Sequence, residues 1–301
     1  MLNFMYMSIK EIIDAANQRQ KPIYELAIEQ EMEQTKASYE EIWSKMEKNL
    51  VTMENSINKS IEGDGVFSPT GLTGGDAVKI KKYRESGKTL SGDMMMFGVQ
   101  SAIGVNEVNA SLGVICATPT AGASGTIPGV LFTISDTLKL SHEDKVHFLF
   151  TSALFGMIVA NNACIAGAFG GCQAEVGSAS AMAAAAAVEA AGGTPQQSSE
   201  AFSTALQNLL GLVCDPVAGL VEIPCVKRNA IGAANALVAA DLALAGVTNI
   251  INADEVVEAM YRVGRQMPRE LRETGLGGVA ATPTGIAIKS KIFGEKVLQP
   301  Q

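Results

Sequence analysis

The residues of this chain best suited to chemistry are its five cysteines: Cys116, Cys164, Cys172, Cys214 and Cys225. Three lie among turn formers, in Gly170-Gly171-Cys172-Gln173-Ala174-Glu175, Cys214-Asp215-Pro216 and Ile223-Pro224-Cys225. Gly and Pro hold the backbone in turns. There a thiolate can point at a metal, and free backbone N–H groups can bond to metal-bound sulfur. Thiolates are soft ligands that suit iron–sulfur clusters or zinc. The three are far apart in sequence and form no Cys-x-x-Cys pair, so a zinc ribbon or ferredoxin-type motif is excluded. Spacing alone leaves open a metal site or buried free thiols. Cys116 and Cys164 sit in apolar runs, Val114-Ile115-Cys116-Ala117 and Ala163-Cys164-Ile165, and read as core thiols. Cys164 is the one spare ligand. An odd cysteine count argues against a disulfide framework and for a reducing compartment.

Charged side chains follow two of these thiols closely. Glu175 is three residues past Cys172. It suits proton transfer, and it equally suits a structural carboxylate that receives helix N-terminal N–H groups. Lys227 and Arg228 follow Cys225. Either they pair with a carboxylate or with metal-bound sulfur, or they stand solvated at the surface. His142 and His147 are the two histidines. The first reads as an exposed turn residue and the second as a packing residue, and no neighbouring motif supports catalysis by either.

Longer motifs surround these positions. Gly170-Gly-Cys-Gln-Ala-Glu-Val-Gly177, Cys214-Asp-Pro-Val-Ala-Gly-Leu-Val-Glu-Ile-Pro-Cys225 and Lys227-Arg-Asn-Ala230 resemble the iron–sulfur-dependent L-serine dehydratase family. Ser68-Pro-Thr-Gly-Leu-Thr-Gly-Gly75, Thr118-Pro-Thr-Ala-Gly-Ala-Ser-Gly125 and Arg272-Glu-Thr-Gly-Leu-Gly-Gly278 are similar to that family's alpha region. The matches run from about residue 68 to 288. The resemblance implies a lyase that converts L-serine to pyruvate and ammonia. It implies a 4Fe-4S cluster with Cys172, Cys214 and Cys225 on three irons. The fourth iron is left open to act as a Lewis acid on the serine hydroxyl. A base then removes the α-proton, and the aminoacrylate formed tautomerises to an imine that hydrolyses.

Several further expectations follow from that resemblance. Glu175 and Lys227 become candidate catalytic residues. The loop at 118–125, with Thr118, Thr120 and Ser124, becomes a candidate substrate site, because its hydroxyls and backbone N–H groups suit a carboxylate or ammonium. Gly122 and Gly125 would let a ligand approach closely. An ordinary polar turn is the alternative. Single-chain relatives carry a C-terminal cysteine that can reach the open iron. The tail here, Gly294-Glu-Lys-Val-Leu-Gln-Pro-Gln301, has none. The fourth position is then free, water-bound or filled by another group. No segment resembles the family's beta region, which implies a separate beta subunit in a hetero-oligomer.

The elements that must position these groups read as mainly α: a compact multi-helix domain with Gly-rich loops around a cluster site. Strand-like alternation is scarce, and aromatics are only 5%, which disfavours an aromatic-rich sandwich. Ser8-x-x-Glu11 and Asn252-x-x-Glu255 signal helix starts, as does Ser141-x-x-Asp144. Thr194-Pro195 places Pro at a first helical position. Residues 178–191 are alanine-rich and strongly helix-forming. Tyr39, Trp43, Met46, Leu50, Met53 and Ile57 form a seam that docks a partner chain or packs on its own domain. A helix is expected over about 229–245, and a Gly-rich loop over 274–285. The expected organisation is an N-terminal helical region at 1–65, packed on a catalytic iron–sulfur domain at 66–290, with a tail at 291–301.

A net charge of −8 and the absence of a Lys/Arg cluster exclude a nucleic-acid binder. No signal-peptide pattern is seen, so a cytoplasmic location is expected. The uncharged stretch 148–171 is long enough to span a bilayer. Its Asn161, Asn162 and glycines, with no flanking positive cluster, favour a fully buried central helix instead. Three rival readings remain. One is a helical membrane protein. Another is a non-catalytic iron–sulfur subunit. The third is a pyridoxal-phosphate enzyme, which would need a Schiff-base lysine and a phosphate-cradling loop among alternating β and α elements.

Overall fold

The structure is a computed structural model and describes residues 6–294. Its secondary structure is helical, with no strand among the described residues beyond two isolated bridges, Phe67 with Gly74 and Cys214 with Arg272. The first three helices are α1 (Ile9–Arg19), α2 (Ile23–Thr35) and α3 (Tyr39–Ser60). Ser8 caps α1 by accepting the Glu11 N–H, and Ser38 and Glu41 cap α3 reciprocally. Leu50, Met53 and Ile57 of α3 are buried, whereas Tyr39 is exposed and Trp43 half-buried. The seam therefore packs on its own chain, against α5 (Asp93–Ala110) and α7 (His142–Asn162). Between them run α4 (Asp76–Glu85), after the 62–75 turns, and α6 (Thr126–Leu138).

α7 ends at Asn162, so the helix expected across 148–171 is cut short. Its Ala153 and Ala160 are exposed, and it is not fully buried. The chain breaks where the Cys164 sulfur accepts the Ala166 N–H, 3.2 Å away, and then forms the single-turn α8 (Gly167–Gly170). No helix of the described residues is long and apolar enough to cross a membrane.

The centre of the molecule is α9 (Ser178–Ala190), buried on every side from Ser178 to Val188. A helix apolar all round must sit in a core. It is enclosed by α6, α7, α10 (Pro195–Asn208) and α11 (Cys225–Leu244). α11 begins at Cys225, four residues before the expected start, so this cysteine belongs to a helix and not to the preceding turn. α12 (Ala253–Gln266) and α13 (Pro283–Phe293) complete the fold. α13 takes up the end of the expected 274–285 loop and runs through the boundary expected at 290. The cysteine-free tail beyond Gly294 lies outside the described residues. One hydrophobic core joins α1–α3 to α5, α6, α7 and α9–α12.

Candidate metal centre

Three segments bring thiols to one place at the N-terminal end of α9. Cys172 follows Gly171, whose φ of +75° favours glycine. A Cβ on Gly171 would lie 2.7 Å from the Met267 sulfur. After Cys172 the chain makes one wide π-type turn, Gln173–Gly177, before α9 begins. Such turns are frequent at functional sites. Gln173 anchors it, donating to the Met260 carbonyl at 3.0 Å and accepting the Gly211 N–H at 2.8 Å. Cys214 is held by its backbone: its N–H donates to Leu271 at 2.8 Å and its carbonyl accepts from Glu273 at 2.7 Å. Cys225 opens α11.

The Cys172 and Cys214 sulfurs and one Glu175 carboxylate oxygen lie within 4.8 Å of one another, all buried. Glu175 Oε1 accepts the Thr120 hydroxyl at 2.7 Å, while Oε2 is 3.9 Å from the Cys214 sulfur. Cys225 is outside this tight group but buried and near enough for its thiol to feel the charges of Cys172 and Glu175. Glycines let the backbone close on the site. A Cβ on Gly167 would sit 2.7 Å from Glu175 Oε2 and 3.0 Å from the Cys214 sulfur, and one on Gly122 would be 3.3 Å from Glu175 Oε1.

The electrostatics leave the site short of positive charge. Interaction with the neighbouring Cys214 thiol lowers the Cys172 pKa, with help from Arg228. Cys214 is raised for the same reason, and further by burial. Burial first, then the charges of Cys172 and Glu175, push Cys225 up. Burial also raises Glu175, against the hydrogen bond from Thr120. Burial thus favours the neutral forms of Cys214, Cys225 and Glu175, while Cys172 is shifted toward the thiolate. Three soft sulfur donors and a carboxylate, with glycine backbone packed close over them, make a donor set that fits an iron–sulfur or other thiophilic metal centre.

A second layer holds these donors. Arg228 Nη2 is 2.7 Å from Asp215 Oδ1, and Nη1 donates to the Val213 carbonyl at 2.8 Å. Asp215 Oδ2 accepts the Val279 N–H at 2.7 Å. Gly278, with φ +56°, packs on Asp215 so closely that a Cβ would lie 2.1 Å from Oδ2. Asn229 donates to the carbonyls of Gly122 at 2.7 Å and Cys225 at 3.0 Å, and accepts the Gly125 N–H at 3.0 Å. It thus clamps the 118–125 loop to the helix that carries Cys225. Thr70 of the 68–75 loop donates to Glu222, in the turn before Cys225, at 2.8 Å.

Of the residues singled out from sequence, Cys172, Cys214, Cys225, Glu175 and Thr120 come together here. Ser124 is fully buried beside Ala123, which packs on Cys172 and Cys214. Two candidates do not join them. Lys227 is exposed, because Arg228 and Asn229 take the inward-facing positions of this turn of α11. Thr118 lines a separate cavity of about 210 Å³ with Cys116, Met53, Leu149 and Met182. Cys116 is half-buried against the main core. Cys164, also half-buried, lines another cavity, of about 340 Å³, with Phe169, Tyr261 and Arg265. His142 is exposed, 2.9 Å from Glu47, and His147 stacks on Tyr24 with ring centroids 3.7 Å apart. Sequence reasoning missed Asp215, Glu222 and Asn229. The available signal was adjacency: Asp215 follows Cys214, and Asn229 is one helical turn past Cys225.

Comparison with known proteins places this geometry in context. The family model described as "Serine dehydratase alpha chain" matches residues 18–280. The chain is 57% identical to the "Probable L-serine dehydratase, alpha chain" of Bacillus subtilis, over 96% of each chain. It is 43% identical to the "L-serine dehydratase, alpha chain" of Peptoniphilus asaccharolyticus, over 97% of this chain and 99% of that one. It is also 36% identical to the "L-serine dehydratase" of Haemophilus influenzae, over 82% of this chain but 54% of that longer protein.

Proposed function

The chain belongs to the serine dehydratase alpha chain family, and from that premise we propose that it deaminates L-serine to pyruvate and ammonia through a 4Fe-4S centre held by Cys172, Cys214 and Cys225. The single observation that carries this reading is the convergence of Cys172, Cys214 and Glu175 within 4.8 Å, with Cys225 close by. Bound there, the cluster would supply a Lewis-acidic iron that makes the serine hydroxyl a better leaving group. The chain's own residues do the rest. Arg228, fixed by Asp215 and the Val213 carbonyl, sets a positive charge near Cys172 that favours its thiolate. Thr120 fixes one oxygen of Glu175 and turns the other toward the sulfurs, so that a proton can be held at Oε2. Glu175 is the proton-transfer group of this reading. Gly122 and Gly167 bring their loops directly onto Glu175 and the Cys214 sulfur, and these loops exclude bulk water from the buried thiols. The 118–125 loop, clamped by Asn229, holds the Thr120 hydroxyl on Glu175 and buries Ser124 beside it.

A separate beta subunit completes the enzyme in this reading. The alpha-chain names of the relatives support it, as does the longer Haemophilus protein, of which this chain covers about half. The assembly works in the cytoplasm. Residues 66–290 are its catalytic domain, and the N-terminal helices α1–α3 brace that domain. The test is anaerobic purification of the chain with a candidate beta chain, followed by assay of pyruvate and ammonia from L-serine. Equimolar formation of both, lost on cluster destruction by oxygen, is expected. Turnover that survives complete removal of iron would sink the proposal.

A further inference from the structure

We propose that Glu175, through Oε2, is the fourth protein ligand of the centre, holding the iron that no cysteine holds until L-serine displaces it. This rests on the cluster reading above and adds a ligand to it. Position is the first ground. Oε2 is 3.9 Å from the Cys214 sulfur, and a carboxylate oxygen of Glu175 lies within 4.8 Å of the sulfurs of both Cys172 and Cys214. Orientation is the second. Oε1 is engaged by the Thr120 hydroxyl at 2.7 Å, so the carboxylate is pinned with Oε2 turned to the sulfurs. Space is the third. Oε2 and the Cys214 sulfur lie beneath Gly167, where a Cβ would fall 2.7 Å and 3.0 Å from them. Any side chain at 167 would therefore displace the carboxylate or the thiol.

Charge is the fourth ground. A buried carboxylate is stable only if paired or metal-bound. Glu175 faces the thiols of Cys172 and Cys214, while Arg228 is bonded to Asp215 and the Val213 carbonyl and directs its charge at Cys172. A negative group placed among sulfurs is offset by a metal's positive charge. Competing donors are elsewhere. Among the described residues Cys116 and Cys164 each line a different cavity. Carboxylate oxygen is an accepted iron ligand and binds less softly than thiolate, so it suits a position that must be vacated. The exchange balances. The carboxylate leaves with its own electron pair, the serine hydroxyl oxygen donates one in its place, and no electron is gained or lost.

The test is electron–nuclear double resonance on the reduced, substrate-free holoenzyme, assembled anaerobically with its partner chain in ¹⁷O-enriched water. With Glu175 as ligand the wild-type centre shows no ¹⁷O coupling, whereas Glu175→Gln admits water and shows it. The Gln variant also loses its fourth iron to give the three-iron signal several-fold faster. Thr120→Val, which loosens the carboxylate without removing it, still shows no ¹⁷O coupling but loses its fourth iron faster than the wild type and more slowly than Glu175→Gln. Strong ¹⁷O coupling in the wild type overturns the proposal without any variant, and so does an unchanged rate of iron loss in a folded Glu175→Gln. If the wild type contains no cluster at all, the failure belongs to the cluster reading itself.

Discussion

Two buried carboxylates show how this fold separates support from chemistry. Glu107, on α5, accepts the N–H groups of Asp76 and Ala77 at 2.7 and 3.2 Å, where α4 begins. Both its oxygens serve backbone donors at a helix start, and this fixes the register of α4 on α5. Glu175 accepts one hydroxyl and turns its other oxygen to sulfur. Burial raises the pKa of both, Glu107 to about 7. Shifted acidity therefore does not mark a site by itself. The partners do: a carboxylate spent on the backbone braces the fold, and one left facing thiols is available to a ligand.

The comparison breaks most severely at the sulfurs. Cys172→Ala, Cys214→Ala and Cys225→Ala should each lose the cluster, seen as iron and sulfide at background and no pyruvate. Cys116→Ala should keep both. If Cys116→Ala empties the site and Cys214→Ala does not, the ligands are misassigned. On the bracing side, Glu107→Ala leaves two helix N–H groups without their partner and should cost about 1–3 kcal/mol in urea unfolding, with the metal content of the folded protein unchanged.

Glu107 also makes a pH prediction. Its folded pKa exceeds the ordinary value of 4.5, so the folded state binds this proton more tightly. Its stabilising contribution is full below about 4.5 and is lost as pH rises through about 7. Between pH 5 and pH 8 the wild type should lose about 1–3 kcal/mol more than Glu107→Gln does. Equal losses in the two proteins would remove Glu107 as the cause. A smaller effect is expected at Thr120→Val. Without its tether Glu175 is less well aimed, and turnover should fall about two- to tenfold at unchanged melting temperature. Smallest of all is Lys227→Ala. This exposed residue should shift stability by less than about 0.5 kcal/mol and leave serine turnover near the wild-type rate. A large loss there would restore Lys227 to the catalytic set.

Helices with a surface signature were legible in the sequence. Ser8, Ser141, Thr194 and Asn252 all cap helices in the structure, and two of these caps are reciprocal boxes. α5 and α6 were not legible. α5 buries Gln100, Asn106 and Glu107 along with its apolar residues, which erases the 3.6-residue stripe, and both start at glycines that make no side-chain cap. The length of α7 was overread because apolar composition continues past Asn162, while the break is made by Cys164 and a glycine-rich turn. At the site, the cysteines and Glu175 could be picked out by type and neighbours. The inward turn of Arg228 in place of Lys227 could not, because the choice depends on where Asp215 lies across the pocket.

The account stands on three thiols gathering one inorganic centre. Iron and acid-labile sulfide should therefore be counted on the chain purified without oxygen, alongside Mössbauer spectra with and without L-serine. About four of each per chain are expected, with one iron whose spectrum moves when serine is added. A folded chain that carries no sulfide, or whose spectrum is indifferent to serine, contradicts it.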